Sequence, residues 1–128
     1  RKALEKKYCD EFGDKLEIKR SSDDQLCANL SGGNQQKVVV ARVLNADPDI
    51  IILDEPTRGI DIKTKSDIHR LMSQLACAGK SIIMVSSELA EVLGISDRIM
   101  VLKEGKVTGI LDRSEADPNV VMRFAVKG

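Results

Sequence analysis

With 128 residues, the chain is long enough for one domain of ordinary size, and its 42% hydrophobic and 31% charged content is typical of a globular protein. Lys plus Arg and Asp plus Glu both number 20, so the charge balance argues against a purely electrostatic binder of nucleic acid or membrane surfaces. The apolar runs at residues 38–41 and 50–53 are far shorter than the ~20 residues that span a bilayer, which predicts a soluble chain.

Cys9, Cys27 and Cys77 are odd in number and lack the spacing of a metal site. They indicate reduced thiols with a packing role rather than a disulfide framework. Because the sequence starts at Arg1, without an initiator methionine or a signal peptide, we also expect it to be cut from a longer protein.

The first predicted element is an amphipathic helix that ends near residue 13. Leu4, Tyr8 and Phe12 recur at helical spacing and should form its packing face. Residues 14–29 are polar and read as a loop, which leads into the stretch Leu30-Ser31-Gly32-Gly33-Asn34-Gln35-Gln36-Lys37.

Residues 34–45 are ambiguous by propensity alone. The β-branched run at residues 38–40 favours a strand. Ser31 as an N-cap and a length of about twelve residues favour a helix, which Pro48 stops, and we therefore predict a helix.

Residues 50–53 lack polar alternation, which predicts a strand of a parallel sheet that is buried on both faces. Residues 81–86, with the apolar run 82–85, predict a second buried strand. The helix between them ends at Gly79, and its apolar face comprises Ile68, Leu71, Met72, Leu75 and Ala76. A short helix is predicted at residues 88–93.

The remaining sequence predicts a hairpin and a final helix. Residues 98–102 and 106–111 flank a turn that contains Gly105. Asp117 precedes a proline as an N-cap, and the helix that it starts should bury Val121 and Phe124. Strands that alternate with helices indicate an α/β layered sheet.

Ser31, Gly32 and Gly33 form a candidate phosphate-binding end of the helix. Backbone N–H groups at a helix N-terminus lack intrahelical partners and carry positive partial charge, and glycine allows close approach because it has no Cβ. Taken alone, the same residues could also be only a well-capped helix start, which is the less favoured interpretation.

Asp54 and Glu55 follow the first apolar strand. A carboxylate at the carboxyl end of a parallel strand can hold Mg²⁺, and the next one can orient or deprotonate the water that attacks a phosphate. The order and spacing of this pair after the Ser-Gly-Gly stretch favour a nucleotide-hydrolysing site over a simple helix cap.

At these residues the chain resembles the ATP-binding cassettes of ABC transporters. Residues 30–35 resemble the signature motif, residues 50–54 the Walker B strand, Glu55 the catalytic glutamate and residues 59–61 the D-loop. The strings LSGGNQQK, ILDEPTRGID and SSELAEV resemble the second, C-terminal cassette of tandem ATPase subunits in bacterial monosaccharide importers. The resemblance implies a three-layer P-loop NTPase fold with a mostly parallel sheet, a C-terminal hairpin and helices.

The resemblance also implies ATP and Mg²⁺ as cofactors. Residues 31–33 would contact the γ-phosphate of an ATP held mainly by an opposite cassette, with Gln35 and Asp61 near the shared interface. Asp54 would bind the metal and Glu55 would serve hydrolysis at the chain's own cassette.

The implied partners are another cassette, either the tandem N-terminal one or that of a second copy, and a membrane permease. A periplasmic or lipoprotein sugar-binding protein would act indirectly, and no nucleic acid is involved. The protein would lie peripherally on the cytoplasmic face of the bacterial inner membrane and power sugar import.

The family's phosphate-cradling loop G-x-x-x-x-G-K-[ST] is missing from the sequence. Residues 79–81 imitate its end, but Gln74 stands where the first glycine is required. We therefore expect the latter half of one cassette, inactive by itself. Residues 1–46 would be the end of the helical subdomain and the signature helix, and residues 47–128 the Walker B, D-loop, switch-loop and C-terminal parts.

The missing P-loop strand would lie between the strands at residues 81–86 and 98–102. Its absence would leave two unpaired strand edges. We expect the chain to close this gap by strand rearrangement or by pairing with another copy.

Ser87 stands where most cassettes have a histidine that contacts the γ-phosphate. A serine can donate a hydrogen bond there but carries no charge, so the alternative function is a non-hydrolytic half-site that presents residues 31–33 to ATP held by another cassette. Ser87 is also compatible with simply capping the helix that follows. His69, Lys37 and Arg58 are expected to be exposed.

Overall fold

A computed structural model describes residues 1–127. They form two compact units, Arg1–Val85 and the segment from Ser86 onward.

The first unit contains three α-helices and two strands. In chain order these are α1 (Lys2–Lys15), a 3₁₀ turn (Cys27–Asn29), α2 (Gly32–Asn45), β1 (Ile50–Asp54), α3 (Ile62–Cys77) and β2 (Ser81–Val85). The second unit contains α4 (Leu89–Ile95), β3 (Arg98–Lys103), β4 (Lys106–Asp112) and α5 (Pro118–Lys127). Residues 34–45 are therefore helical, as predicted.

The apolar stripe of α1 is less buried than its pattern predicts. Leu4 is 55% and Tyr8 41% exposed, whereas Phe12 is half-buried and stacks on Tyr8 at a ring-centroid distance of 6.4 Å. Residues 1–11 are all exposed, because only the end of α1 lies beside α2, across a cleft of about 310 Å³. The prediction that Cys9, Cys27 and Cys77 serve packing is wrong, since all three thiols are exposed.

Strands β1 and β2 pair in parallel, from Ile50 with Ser81 to Asp54 with Val85. One face is buried by α3, where Ile68, Leu71 and Met72 lie in the core with Ile51 of β1. The prediction that both faces are buried is wrong, because nothing in the described part of this unit covers the other face. Its residues are Ile50, Ile52, Ile83 and Val85, which are 61%, 67%, 53% and 51% exposed.

The second unit is an antiparallel hairpin packed against α5. Glu104 and Gly105 both have positive φ, 50° and 76°, the geometry of a two-residue type I′ turn. Ile99, Val101, Leu111 and Val121 form the core, and Phe124 packs against it. Asp117 caps α5 as predicted, because its carboxylate accepts the N–H of Asn119 at 2.7 Å and that of Val120 at 3.0 Å.

The strands form two separate two-stranded sheets, β1–β2 and β3–β4. Within residues 1–127, β2 pairs only with β1 and β3 only with β4, so strand rearrangement does not close the expected gap. In the part of the chain that the structure describes, no helix has the length and apolarity required to cross a membrane.

Candidate functional site

The Ser31-Gly32-Gly33 stretch begins α2 as a capped helix start. Ser31 is the N-cap, and its hydroxyl accepts hydrogen bonds from the backbone N of Asn34 at 3.4 Å and from Asn34 Nδ2 at 2.9 Å. The amide oxygen of Asn34 accepts the N–H of Lys19 at 2.9 Å, which ties the preceding loop to the helix. Ser31 and Gly32 are exposed, so the positive end of α2 is open to an approaching anion.

Gly32 and Gly33 have different surroundings. A Cβ built on Gly32 meets no atom within 4 Å, so this position leaves room for a ligand. A Cβ built on Gly33 lies 2.7 Å from Thr64 Oγ1 and 2.8 Å from Thr64 Cγ2. Gly33 is therefore required by the close approach of α2 to α3, independently of any phosphate.

Asp61 is the N-cap of α3. Its carboxylate accepts the N–H of Thr64 at 3.0 Å and the hydroxyl of Thr64 at 2.7 Å, and these bonds hold the pKa of Asp61 below its usual value. Thr64 thus touches Gly33 on one side and Asp61 on the other. The structure brings the Ser-Gly-Gly helix start and Asp61 together through this threonine.

Lys37 is buried, so the prediction that it is exposed is wrong. Only 7% of the residue is accessible, and its ammonium lies 3.0 Å from Asp67 Oδ2 on α3. The hydrogen bond from Lys37 lowers the pKa of Asp67, against the opposing effect of partial burial. A buried lysine needs such a partner, because an unpaired charge is costly away from water.

Gln35 is turned back toward the loop that precedes α2. Its amide Nε2 donates to the carbonyl oxygens of Leu30 at 3.0 Å and of Ala28 at 3.5 Å. In this arrangement Gln35 stabilises the entry to the helix. Arg58 is exposed as expected, while His69 is half-buried.

Asp54 and Glu55 lie at the carboxyl end of β1. Asp54 is exposed, and the half-buried Glu55 adopts a left-handed φ of 48° while its N–H donates to the carbonyl of Val85 at 2.8 Å. Pro56 and Thr57 are fully buried directly after it, so the turn that carries Glu55 is anchored in the core. A left-handed conformation at a non-glycine residue persists only where the surroundings impose it.

The carboxylates of Asp54 and Glu55 fit a metal site whose other ligands come from water and substrate phosphates. Among residues 1–127 no cluster of three or more His, Cys, Asp or Glu side chains is placed to hold a metal ion. Mg²⁺ is commonly held by one or two carboxylates together with water and substrate phosphates, which the exposed Asp54 beside Glu55 can satisfy.

Ser87 lies in the second unit and is exposed. Ser87 is not the N-cap of the following helix, because α4 begins at Leu89 and Glu88 is its N-cap. The N–H of Glu88 donates to the hydroxyl of Ser86 at 3.0 Å. The Ser86 hydroxyl also donates to the carboxylate of Glu91, a residue that is only 6% exposed.

Sequence reasoning missed Thr64, Asp67 and Ser86. The Asp61-x-x-Thr64 spacing at the start of a predicted helix was the available signal for the first, since a cap and its third successor commonly bond. No local signal marks Asp67, whose partner Lys37 is 30 residues away in sequence.

Residues 4–58 match the family model described as ABC transporter. A Rhizobium meliloti protein named for ribose, galactose and methyl galactoside import is 56% identical over 119 residues, which is 93% of this chain and 23% of that relative. The ribose import ATP-binding protein of Clostridium perfringens is 53% identical over 112 residues, or 88% of this chain and 22% of the relative. The chain thus spans less than a quarter of the length of these relatives.

The fold also matches solved structures. The dimeric post-hydrolysis state of an ATP-binding cassette bound to ADP and Pi is 31% identical, with a TM-score of 0.75, and the match covers 84% of this chain and 46% of that one. This likeness confirms the predicted α/β fold.

Proposed function

We propose that this chain is the signature-bearing part of an ATP-binding cassette of the ABC transporter family that powers sugar import. The names of the relatives support a monosaccharide of the ribose or galactose type as the transported substrate. ATP hydrolysis is proposed for a protein of the relatives' full length, and the 128 residues alone hydrolyse little or no ATP.

One observation carries this proposal: the open, capped start of α2 is joined through Thr64 to Asp61 at the start of α3. Residues 31–33 contact the γ-phosphate of ATP held mainly by an opposite cassette, because helix N–H groups and an unobstructed Gly32 suit an anion. Gln35 and Asp61 lie near the interface between cassettes.

The residues at the carboxyl end of β1 act on the ATP that is bound by the chain's own cassette. Asp54 holds Mg²⁺, which neutralises phosphate charge when it is bound. Glu55 orients the attacking water and accepts its proton, and the anchored turn of residues 55–58 fixes the position of that carboxylate. Ser87 donates a hydrogen bond to the γ-phosphate.

The partners proposed are a second cassette and a membrane permease, with a sugar-binding protein acting through the permease. The dimeric state of the matching cassette structure supports the first of these. The protein then lies peripherally on the cytoplasmic face of the inner membrane.

The test is Glu55→Gln in the full-length ATPase assembled with its permease. We expect hydrolysis at this site to fall roughly 10²–10⁴-fold, the usual contribution of a general base, while ATP binding persists. Glu11→Gln, which removes an exposed carboxylate from α1, is the control and keeps full activity. Unchanged hydrolysis at both sites in Glu55→Gln would refute the assignment.

The second candidate function is a non-hydrolytic half-site that only presents residues 31–33 to the other cassette. The serine at position 87 favours this candidate, because it cannot carry charge toward the γ-phosphate. Replacing the P-loop lysine of each cassette in turn distinguishes the hydrolytic from the non-hydrolytic candidate function. Only in the hydrolytic case does activity that depends on Glu55 remain when the other cassette is disabled.

A further inference from the structure

Helices α2 and α3 are joined at two points near their N-termini. Gly33 lies directly against Thr64, and Lys37 forms an ion pair with Asp67 at 3.0 Å. We propose that these two contacts are a positioning clamp that keeps residues 31–33 and Asp61 in fixed register, so that phosphate contact and cassette contact are coupled. This inference rests on the proposed function of both sites.

The spacing of the contacts fixes more than the distance between the helices. Gly33 and Lys37 are four residues apart on α2, and Thr64 and Asp67 are three residues apart on α3. Such residues lie on one face of a helix, one turn apart. Two contacts one turn apart hold the rotation of each helix as well as their separation.

Each contact also lies close to a functional helix start. Ser31, the N-cap of α2, is two residues before Gly33, and Asp61, the N-cap of α3, is three before Thr64. Thr64 itself donates to the Asp61 carboxylate at 2.7 Å. A displacement of residues 31–33 is therefore passed to Asp61 through directly bonded or packed atoms.

The ion pair between Lys37 and Asp67 is the charged contact of the clamp. The side chains of Lys37 and Asp67 are only 9% and 16% exposed, so the pair is shielded from water. Asp67 also pairs with Arg70, but Arg70 lies on the same helix and is 63% exposed. Among the described residues, Lys37 is the one that bridges Asp67 to α2, whereas Arg70 lies on α3 with Asp67 and does not connect the two helices.

The experiment compares three variants in the full-length ATPase: Lys37→Met, the double variant Lys37→Met/Asp67→Leu, and Arg70→Met as control. Lys37→Met leaves Asp67 partly buried without its bridging partner and is expected to lower stability. The double variant replaces both charges by apolar side chains and should regain stability, as such replacements often do.

For a positioning role, kcat stays low in the double variant even though stability returns. We expect a loss of about tenfold to a hundredfold in kcat, typical of small misplacements, with the KM for ATP within about twofold of wild type. Arg70→Met retains kcat within about twofold. Recovery of kcat together with stability in the double variant would overturn the clamp and leave a merely structural ion pair.

Amide hydrogen exchange separates this inference from the proposed function. In the double variant, exchange at the hydrogen-bonded amides of Asn34 and Gln35 and at those of Thr64 and Lys65 should accelerate by about tenfold relative to Arg70→Met, because both helix starts loosen together. If the wild-type assembly had no ATPase activity, the proposed function would be rejected, but the exchange rates would still test whether the two helix starts are coupled. Exchange that accelerates on one helix only, or on neither, would overturn the coupling.

Discussion

Gly32 and Gly33 are adjacent in sequence but have different structural needs. The Cβ of an alanine at Gly33 would meet Thr64 at 2.7 Å, whereas at Gly32 it would meet nothing within 4 Å. Gly33→Ala should therefore destabilise the chain by about 1–3 kcal/mol through overpacking. Gly32→Ala should be neutral or stabilising by up to ~1 kcal/mol, because alanine favours helix. Urea denaturation measures both.

The Thr64→Ala background is the control for this comparison. It removes the Oγ1 and Cγ2 atoms that obstruct position 33 and leaves the Thr64 Cβ, which lies 3.1 Å from the added methyl group. The cost of Gly33→Ala should shrink in that background without vanishing. Equal costs for the two glycine variants, or no dependence on Thr64, would contradict the packing explanation.

Elements whose signals are local were predictable from the sequence. The cap of α2 at Ser31, the cap of α5 at Asp117 and the turn at Gly105 are each formed by residues within a few positions of one another. The polypeptide backbone geometry there follows from the side chains present, whatever lies further along the chain.

Burial was less predictable, because it depends on elements distant in sequence. Lys37 looks like a surface lysine until α3 brings Asp67 beside it. The apolar run of β1 predicts two covered faces, but within the described first unit α3 covers a single face, and Ile52 on the other face is 67% exposed. At the site, the sequence identified Asp61 but not Thr64, the residue that connects it to Gly33.

The link between α2 and α3 has a predictable pH dependence. Because the hydrogen bond from Lys37 lowers the native pKa of Asp67, the unfolded state takes up this proton more readily. The contribution to stability is complete above the unfolded pKa, ~3.9, and is lost as pH falls through the lower native pKa. The stability difference between wild type and Asp67→Asn should therefore narrow below about pH 4 in urea titrations.

Asp47→Asn is the matched control. Lys80 likewise lowers the pKa of Asp47, but the Asp47 side chain is 86% exposed, so water screens the pair. The difference in stability between Asp47→Asn and wild type should be small at every pH. If the Asp67→Asn difference is constant from pH 2 to pH 6, the Lys37 hydrogen bond does not stabilise the ionised carboxylate.

At the scale of the whole chain, each unit presents an apolar sheet face to solvent. In the first unit this face consists of Ile50, Ile52, Ile83 and Val85, and in the second the exposed strand residues are Met100, Leu102, Val107 and Ile110. Two-stranded sheets are marginal by themselves, and unpaired edges invite another strand. Continuous apolar patches of this kind mark contact surfaces.

We therefore predict that the chain by itself associates with further copies, which light scattering across a concentration series would detect. Its formal net charge of 0 offers no repulsion between copies. Ile52→Lys places a charge in the centre of the open face of β1–β2 and should shift the distribution toward monomer. Ile62→Lys adds the same charge at an 88% exposed position on α3, outside that face, and should leave association unchanged.

A monodisperse wild-type monomer would contradict this prediction. Equal effects of the two lysines would instead assign the association to net charge rather than to the sheet face.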